Sequence, residues 1–246
     1  MPQAHLRFYE ELNDFLPAAR RKTTFVHFFQ GRHSIKDLIE ALGVPHAEVD
    51  LILVNGVSVD FAYIVQDGDR ISVYPVFEAL DITPLVRLRP RPLREPRFVL
   101  DTHLGQLATY LRLLGFDTLY DADCPDETLA HLSASEKRIL LTKDRGLLQR
   151  RLVTHGYCVR ATRPRQQVRE VLERFDLFTA VTPFRRCLRC NGALESVDKQ
   201  TMADRLPPGT QAYSDEFYRC PACDQLYWPG SHSEKMRRFI REILND

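Results

Sequence analysis

No run of eighteen apolar residues occurs anywhere in the 246-residue chain, so no helical membrane span is expected. The opening "MPQAHLRFYEELNDF" lacks the apolar core of a secretory signal, which makes a cytoplasmic protein the expectation. Net charge is nearly absent at +1, yet the two ends differ. Residues 1–80 carry seven Lys/Arg against eleven Asp/Glu, and the remainder carries 27 against 22. The cations of the second part are mainly arginine, whose planar fork suits phosphate oxygens, although an ordinary solvated surface carries a similar excess. A chain 44% hydrophobic and 27% charged can build ordinary cores, and its length suits two or three modest domains.

Cysteine is sparse, at six residues. Four of them fall into two CxxC pairs, Cys187 and Cys190 in "CLRC", and Cys220 and Cys223 in "CPAC". Without a secretory signal, such pairs read as metal ligands before disulfides. Four thiolates suit tetrahedral Zn²⁺ and leave no open coordination position, so the expected ion is structural. The second knuckle has Asp224 where glycine is common, and Asp tolerates a left-handed turn. Cys124 and Cys158 read as core or incidental residues.

Along the chain the pattern changes three times. Residues 1–79 read as a small α+β unit with the order β-β-α-β-β. Ser34 starts a helix, with Asp37 in the capping-box position and Gly43 ending it, and turns are expected at Asn55-Gly56 and Asp67-Gly68. Residues 80–96, rich in proline and arginine, read as an extended linker whose arginines also suit RNA. Residues 97–183 alternate strand and helix: "RFVL", "DTLY", "ILLT" and "YCVRA" each precede a helical pattern, which predicts a parallel α/β domain. Residues 184–246 carry the knuckles and then the amphipathic "SEKMRRFIREILN".

Acids recur where the predicted strands end. Asp101 follows "RFVL", Asp121, Asp123 and Asp126 follow "DTLY", and Asp144 follows "ILLT". The carboxyl ends of parallel strands lie on one edge of a sheet, so these side chains are expected to converge. Helix capping is the bland explanation for each acid taken singly. A cluster of carboxylates repels itself unless a cation compensates, and hard oxygen ligands point to Mg²⁺ or Mn²⁺. Such a site can activate water against a phosphodiester. Lys143 and Arg145 beside Asp144, and Arg185, Arg186 and Arg189 beside the first knuckle, are candidate phosphate contacts. Tyr218, Tyr227 and Trp228 could stack bases or form the ribbon's own small core. His103 is expected to face solvent or pack on its helix rather than act as a base.

The stretches "FVLDTHLGQLATYLRLLGFDTLY", "DCPDETL" and "RILLTKDRGLL", with the two knuckles, resemble the Mut-seven C-terminal RNase domain, a PIN-like nuclease fold with a zinc ribbon. The first unit, "LVNG…DGDRISVYP" above all, resembles the β-grasp, ubiquitin-like sulfur carriers, and some members of the nuclease family carry such a domain in front. The carriers end in a free Gly-Gly; this chain reads on through "VYPVFEALDI", so sulfur transfer is not expected. The resemblance implies an α/β PIN-like parallel-sheet domain with a zinc ribbon behind a β-grasp domain. It implies a metal-dependent ribonuclease with Asp101, Asp126 and Asp144 as metal-binding acids, and Asp123 as the alternative at the second position. Asp121 and Glu127 are not separable from Asp123 and Asp126 in sequence. The implied substrate is single-stranded or structured RNA, with a protein partner possible at the β-grasp domain. The competing reading is a non-catalytic RNA-binding or adaptor protein on the same fold.

Overall fold

The computed structural model describes residues 1–75, 88, 96–202, 205 and 216–245. Most of the stretch expected to be a linker, 80–96, lies outside the described residues. The chain forms two compact units: Met1–Glu95 with Pro125–Cys158, and Pro96–Cys124 with Val159–Asp246. Among the described residues no helix is long and apolar enough to cross a membrane.

The first unit opens with strands β1 (Gln3–Phe8) and β2 (Phe25–Phe28), helix α1 (Ile35–Ala41), and strands β3 (Val49–Val54), β4 (Val57–Ser58) and β5 (Arg70–Pro75). They form one mixed sheet in the order β2-β1-β5-β3-β4, in which β1 and β5 run parallel and the other pairs antiparallel. Alternation explains the core face: Ala4, Leu6 and Phe8 of β1 and Ile71 and Val73 of β5 are buried, and α1 lays Ile35, Leu38 and Ile39 among them. Ser34 caps α1 as expected, its Oγ accepting the Asp37 N–H at 3.1 Å. Asn55 and Gly56 both take positive φ, the backbone that lets a two-residue turn join β3 to β4. The Asp67-Gly68 turn joins no two strands directly. Before β5 the buried Asp69 carboxylate accepts from the Asn55 side chain, the Tyr63 hydroxyl and the Gln66 N–H, and so does the work of a missing ladder.

The same unit takes in helix α3 (Asp126–Ser135), strand β8 (Ile139–Thr142), the single-turn helix α4 (Arg145–Leu148) and strand β9 (Gly156–Cys158), with β8 and β9 parallel. All four residues of β8 are buried, which is why it reads as an apolar run, Ile139 to Leu141, closed by Thr142. The helical pattern expected after "ILLT" closes after one turn. The Leu140 N–H already bonds the His155 carbonyl, so the return to β9 leaves few residues for a helix.

The second unit contains strand β6 (Phe98–Leu100), helix α2 (Gly105–Leu113) and strand β7 (Thr118–Tyr120), a β-α-β unit whose two strands pair in parallel. It continues with helix α5 (Pro164–Arg174). Leu107, Ala108 and Leu111 of α2 and Val168, Val171 and Leu172 of α5 are buried, and Phe98 meets Phe116 and Phe175 edge-on. The chain then forms strand β10 (Glu195–Val197), short helix α6 (Lys199–Met202), strands β11 (Phe217–Arg219) and β12 (Leu226–Tyr227), and helix α7 (Ser231–Asn245). Strands β10, β11 and β12 make a small antiparallel sheet, and α7 stacks its Phe239 on Tyr110 of α2 at 4.3 Å between ring centroids. The fold is thus a mixed β-grasp sheet, parallel α/β strand pairs, and a cysteine-bearing ribbon.

Candidate functional site

Each expected acid has a definite local setting. Asp101 lies at the end of β6, 5% exposed, as the N-cap of a short 3-10 helix; its Oδ1 accepts the His103 N–H at 2.8 Å. Asp144 is exposed at the end of β8 and caps α4, its Oδ1 accepting the Gly146 N–H at 2.7 Å. The Asp144 N–H is itself held by Thr142 Oγ1 at 2.9 Å. Asp126 departs from the capping expectation. Pro125 occupies the N-cap and Asp126 is the first helical residue, its carboxylate 3.6 Å from the Arg150 guanidinium. Proline is at home just before a helix because it has no N–H to leave unpaired, and an acid in the first turn complements the helix dipole. Asp123 is exposed and donates its N–H to Asp121 Oδ1 at 3.1 Å. His103 faces solvent, 77% exposed at its side chain.

The arginines divide. Lys143, Arg145, Arg185 and Arg189 are exposed. Arg145 places its guanidinium carbon 4.9 Å from the centre of the Phe15 ring. Arg186 is turned inward: it pairs with Asp117 Oδ2 at 3.4 Å and donates to the Asn191 carbonyl at 3.2 Å.

The four cysteines come together as a group. Their sulfurs all lie within 4.8 Å of one another, close enough to hold a metal ion such as zinc. The Cys187–Cys223 and Cys190–Cys220 pairs stand at 3.5 and 3.3 Å. Both knuckles are built alike. The Asn191 N–H bonds back to the Cys187 carbonyl and the Asp224 N–H to the Cys220 carbonyl, with Asn191 and Asp224 at φ +70° and +60°. Asp224 thus takes the left-handed turn expected of it. Arg205, donating to its carboxylate, holds Asp224 below the usual carboxylate range. Burial works against ionising Cys187, but the Tyr227 hydroxyl, the backbone N–H groups of Cys190 and Arg189 and the Cys223 thiol bring its thiol down to about 6. Burial pushes Cys190 up to about 12, and three neighbouring thiols reinforce it. Crowded thiolates repel one another unless a cation compensates their charge. Trp228 packs against Phe217 and Leu226 with Val197 and Met202, so it belongs to the ribbon's own core.

Sequence reasoning missed the residues that join the first knuckle to the α/β strands. Arg112, 4% exposed on α2, donates to the carbonyls of Thr118, Leu188 and Arg189 at 2.9–3.1 Å. Asn191 accepts the Thr118 N–H at 2.9 Å and donates to Asp117 Oδ1 at 2.7 Å. The available signals were a cation inside the apolar "YLRLLG" and an Asn directly after a CxxC.

A family model described as the Mut7-C RNAse domain matches residues 96–240, and one described as Mut7-C ubiquitin matches residues 1–81. No curated protein and no solved structure matches the chain.

Proposed function

Since the chain belongs to the Mut7-C RNAse domain family, we propose that it hydrolyses phosphodiester bonds of single-stranded or structured RNA. The observation that carries this reading is the family match over 96–240, a span that includes every candidate acid and both knuckles. Asp101, Asp126 and Asp144 are the proposed carboxylates, with Asp123 the alternative to Asp126. This all-oxygen donor set fits Mg²⁺ or Mn²⁺ rather than a soft metal. When bound, such an ion supplies an acidified water and positive charge near the leaving oxygen. The chain's own part is positional. The His103 and Gly146 N–H groups fix one oxygen each of Asp101 and Asp144, which sets the carboxylates before substrate arrives. Lys143, Arg145, Arg185 and Arg189 are the proposed phosphate contacts, and Arg186 is assigned to the knuckle instead. Cys187, Cys190, Cys220 and Cys223 hold a structural Zn²⁺ in this reading, because four thiolates close a tetrahedral site. The domain bounds 1–79, 97–183 and 184–246 belong to the same proposal, as does a protein partner at the β-grasp domain.

The test is incubation of the purified chain with single-stranded and structured RNAs in Mn²⁺, with Asp144→Asn alongside. Cleavage by the wild-type chain and not by the variant is expected. Equal cleavage by both would remove Asp144 from the chemistry, and RNA bound without cleavage by either would favour an adaptor.

A further inference from the structure

The turn that carries Asp144 is gripped by residues more than ninety positions earlier in the chain. Glu48, fully buried at the end of the 3-10 turn His46–Glu48, accepts the Cys158 N–H at 2.5 Å. Cys158 pairs with Thr142 in the β8–β9 ladder, and Thr142 Oγ1 holds the Asp144 N–H. One residue further on, Arg145 stacks on Phe15. At the far end of α4, the Gln149 side chain reaches the Glu40 carbonyl at 3.4 Å, and Glu40 Oε1 is 2.6 Å from His46 Nδ1. The grip therefore falls before, beside and after Asp144.

A buried carboxylate is expensive unless hydrogen-bonded, and one bonded to the backbone N–H of a strand outside the β-grasp sheet fixes that strand's position. A module kept only to recruit another protein has no need of it. We propose that the β-grasp part of this chain is a brace acting in cis, with Glu48 and Phe15 as positioning residues for the Asp144 turn. The role of the turn in catalysis rests on the nuclease reading above; the brace itself rests on the contacts alone.

The test is native-state hydrogen exchange on the full chain with Glu48→Gln and Phe15→Leu, following the amides of Cys158, Asp144 and Gly146. The His5 N–H, bonded to the Asp69 carbonyl inside the β-grasp unit, is the reference. Exchange at Asp144 and Gly146 is expected to rise about tenfold in each variant with His5 unchanged. Faster exchange at Cys158 alone would overturn the brace, and so would equal acceleration at every amide, which marks general support of the fold. Should Glu48→Gln fail to fold, Phe15→Leu decides alone, since it removes a ring and leaves the Glu48 bond in place. In RNA cleavage with Mn²⁺, both variants should lose about tenfold in kcat with KM unchanged. Normal kcat in a variant whose Asp144 turn exchanges faster would overturn the positioning role. A wild-type chain that cleaves nothing would sink the nuclease reading, and the exchange result would still decide the brace.

Discussion

The Thr118 N–H donates to the side-chain oxygen of Asn191 at 2.9 Å across 73 positions of sequence, joining the first residue of β7 to the first cysteine knuckle. Thr118 is fully buried, so nothing in solvent can replace that bond. Asn191→Ala should therefore cost about 2 kcal/mol, the penalty of an unpaired buried donor. Urea denaturation of the two proteins measures it, and an unchanged midpoint would mean that Thr118 finds another acceptor.

Arg112 binds the same knuckle through the carbonyls of Leu188 and Arg189, and its guanidinium donates to the Thr118 carbonyl as well. Burial lowers its pKa from the ordinary arginine value, and the nearby Cys187, Cys190, Tyr227 and Asp117 act against that. Lysine has one compact donor group and cannot span three carbonyls in a fork. Arg112→Lys should thus fail to rescue Arg112→Met, and each should lower the unfolding free energy by about 3 kcal/mol. Full rescue by lysine would show that charge alone matters at this position.

Much of this architecture was legible because it rests on periodicity and turn chemistry. The helical pattern expected after "DTLY" is α3, β8 is "ILLT", and the Ser34 cap and Asn55-Gly56 turn fall where their residue types place them. The knuckles were legible from spacing alone, and their four sulfurs gather. The single-turn α4 was not, because helix length there is limited by the return to β9 and not by local preference. Nor were Glu48, Arg112 and Asn191. Each is a single buried polar residue whose partner lies 73 or more positions away, apart from the nearby Thr118 carbonyl that Arg112 also binds. Such residues leave no periodic trace, and only the folded chain shows what they bond. The acids were legible as strand-end residues, but capping accounts for the local geometry of Asp101 and Asp144 equally well.

On the proposal that the four cysteines hold zinc, removing it should act on the ribbon specifically. Among the described residues the ribbon's core is small, centred on Phe217 and Leu226, so apolar burial there gives the knuckles little support. A chelator should lower the thermal midpoint of the wild-type chain, and Cys220→Ser should lower it similarly and lose stoichiometric zinc. A zinc-loaded Cys220→Ser protein of normal stability would contradict the structural assignment.

His46 predicts a pH dependence. It is buried, and burial first, then the nearby Lys36 charge, lower its pKa below 6.5 despite the Glu40 hydrogen bond. The unfolded chain then binds a proton at higher pH than the folded one. Stability from this group is complete above 6.5 and falls as pH drops from 6.5 to the folded value, by no more than about 1.4 kcal/mol per pH unit. His27, lowered mainly by burial, contributes with the same sign. Urea midpoints between pH 5 and 7.5 should show a shallower slope in His46→Gln, and an identical slope would locate the proton elsewhere.

Two glycines separate backbone strain from crowding. Gly43, just after α1, has φ +88°, and an added Cβ would meet nothing closer than the Phe15 carbonyl at 3.7 Å. Gly115, just after α2, has φ +100°, and its Cβ would come 2.2 Å from the Thr182 carbonyl oxygen. That carbonyl cannot easily retreat, because the Thr182 and Phe184 N–H groups are bonded to the carbonyls of Leu114 and Leu113. Gly43→Ala should cost about 1 kcal/mol, the left-handed penalty of an L-residue. Gly115→Ala carries the same penalty and must also displace the 182–184 segment, for a total of about 3 kcal/mol or more. Paired denaturation curves read the difference directly. Equal losses at the two positions would mean that the segment after α5 yields freely, and that its bonds to the end of α2 contribute little to holding the ribbon's approach.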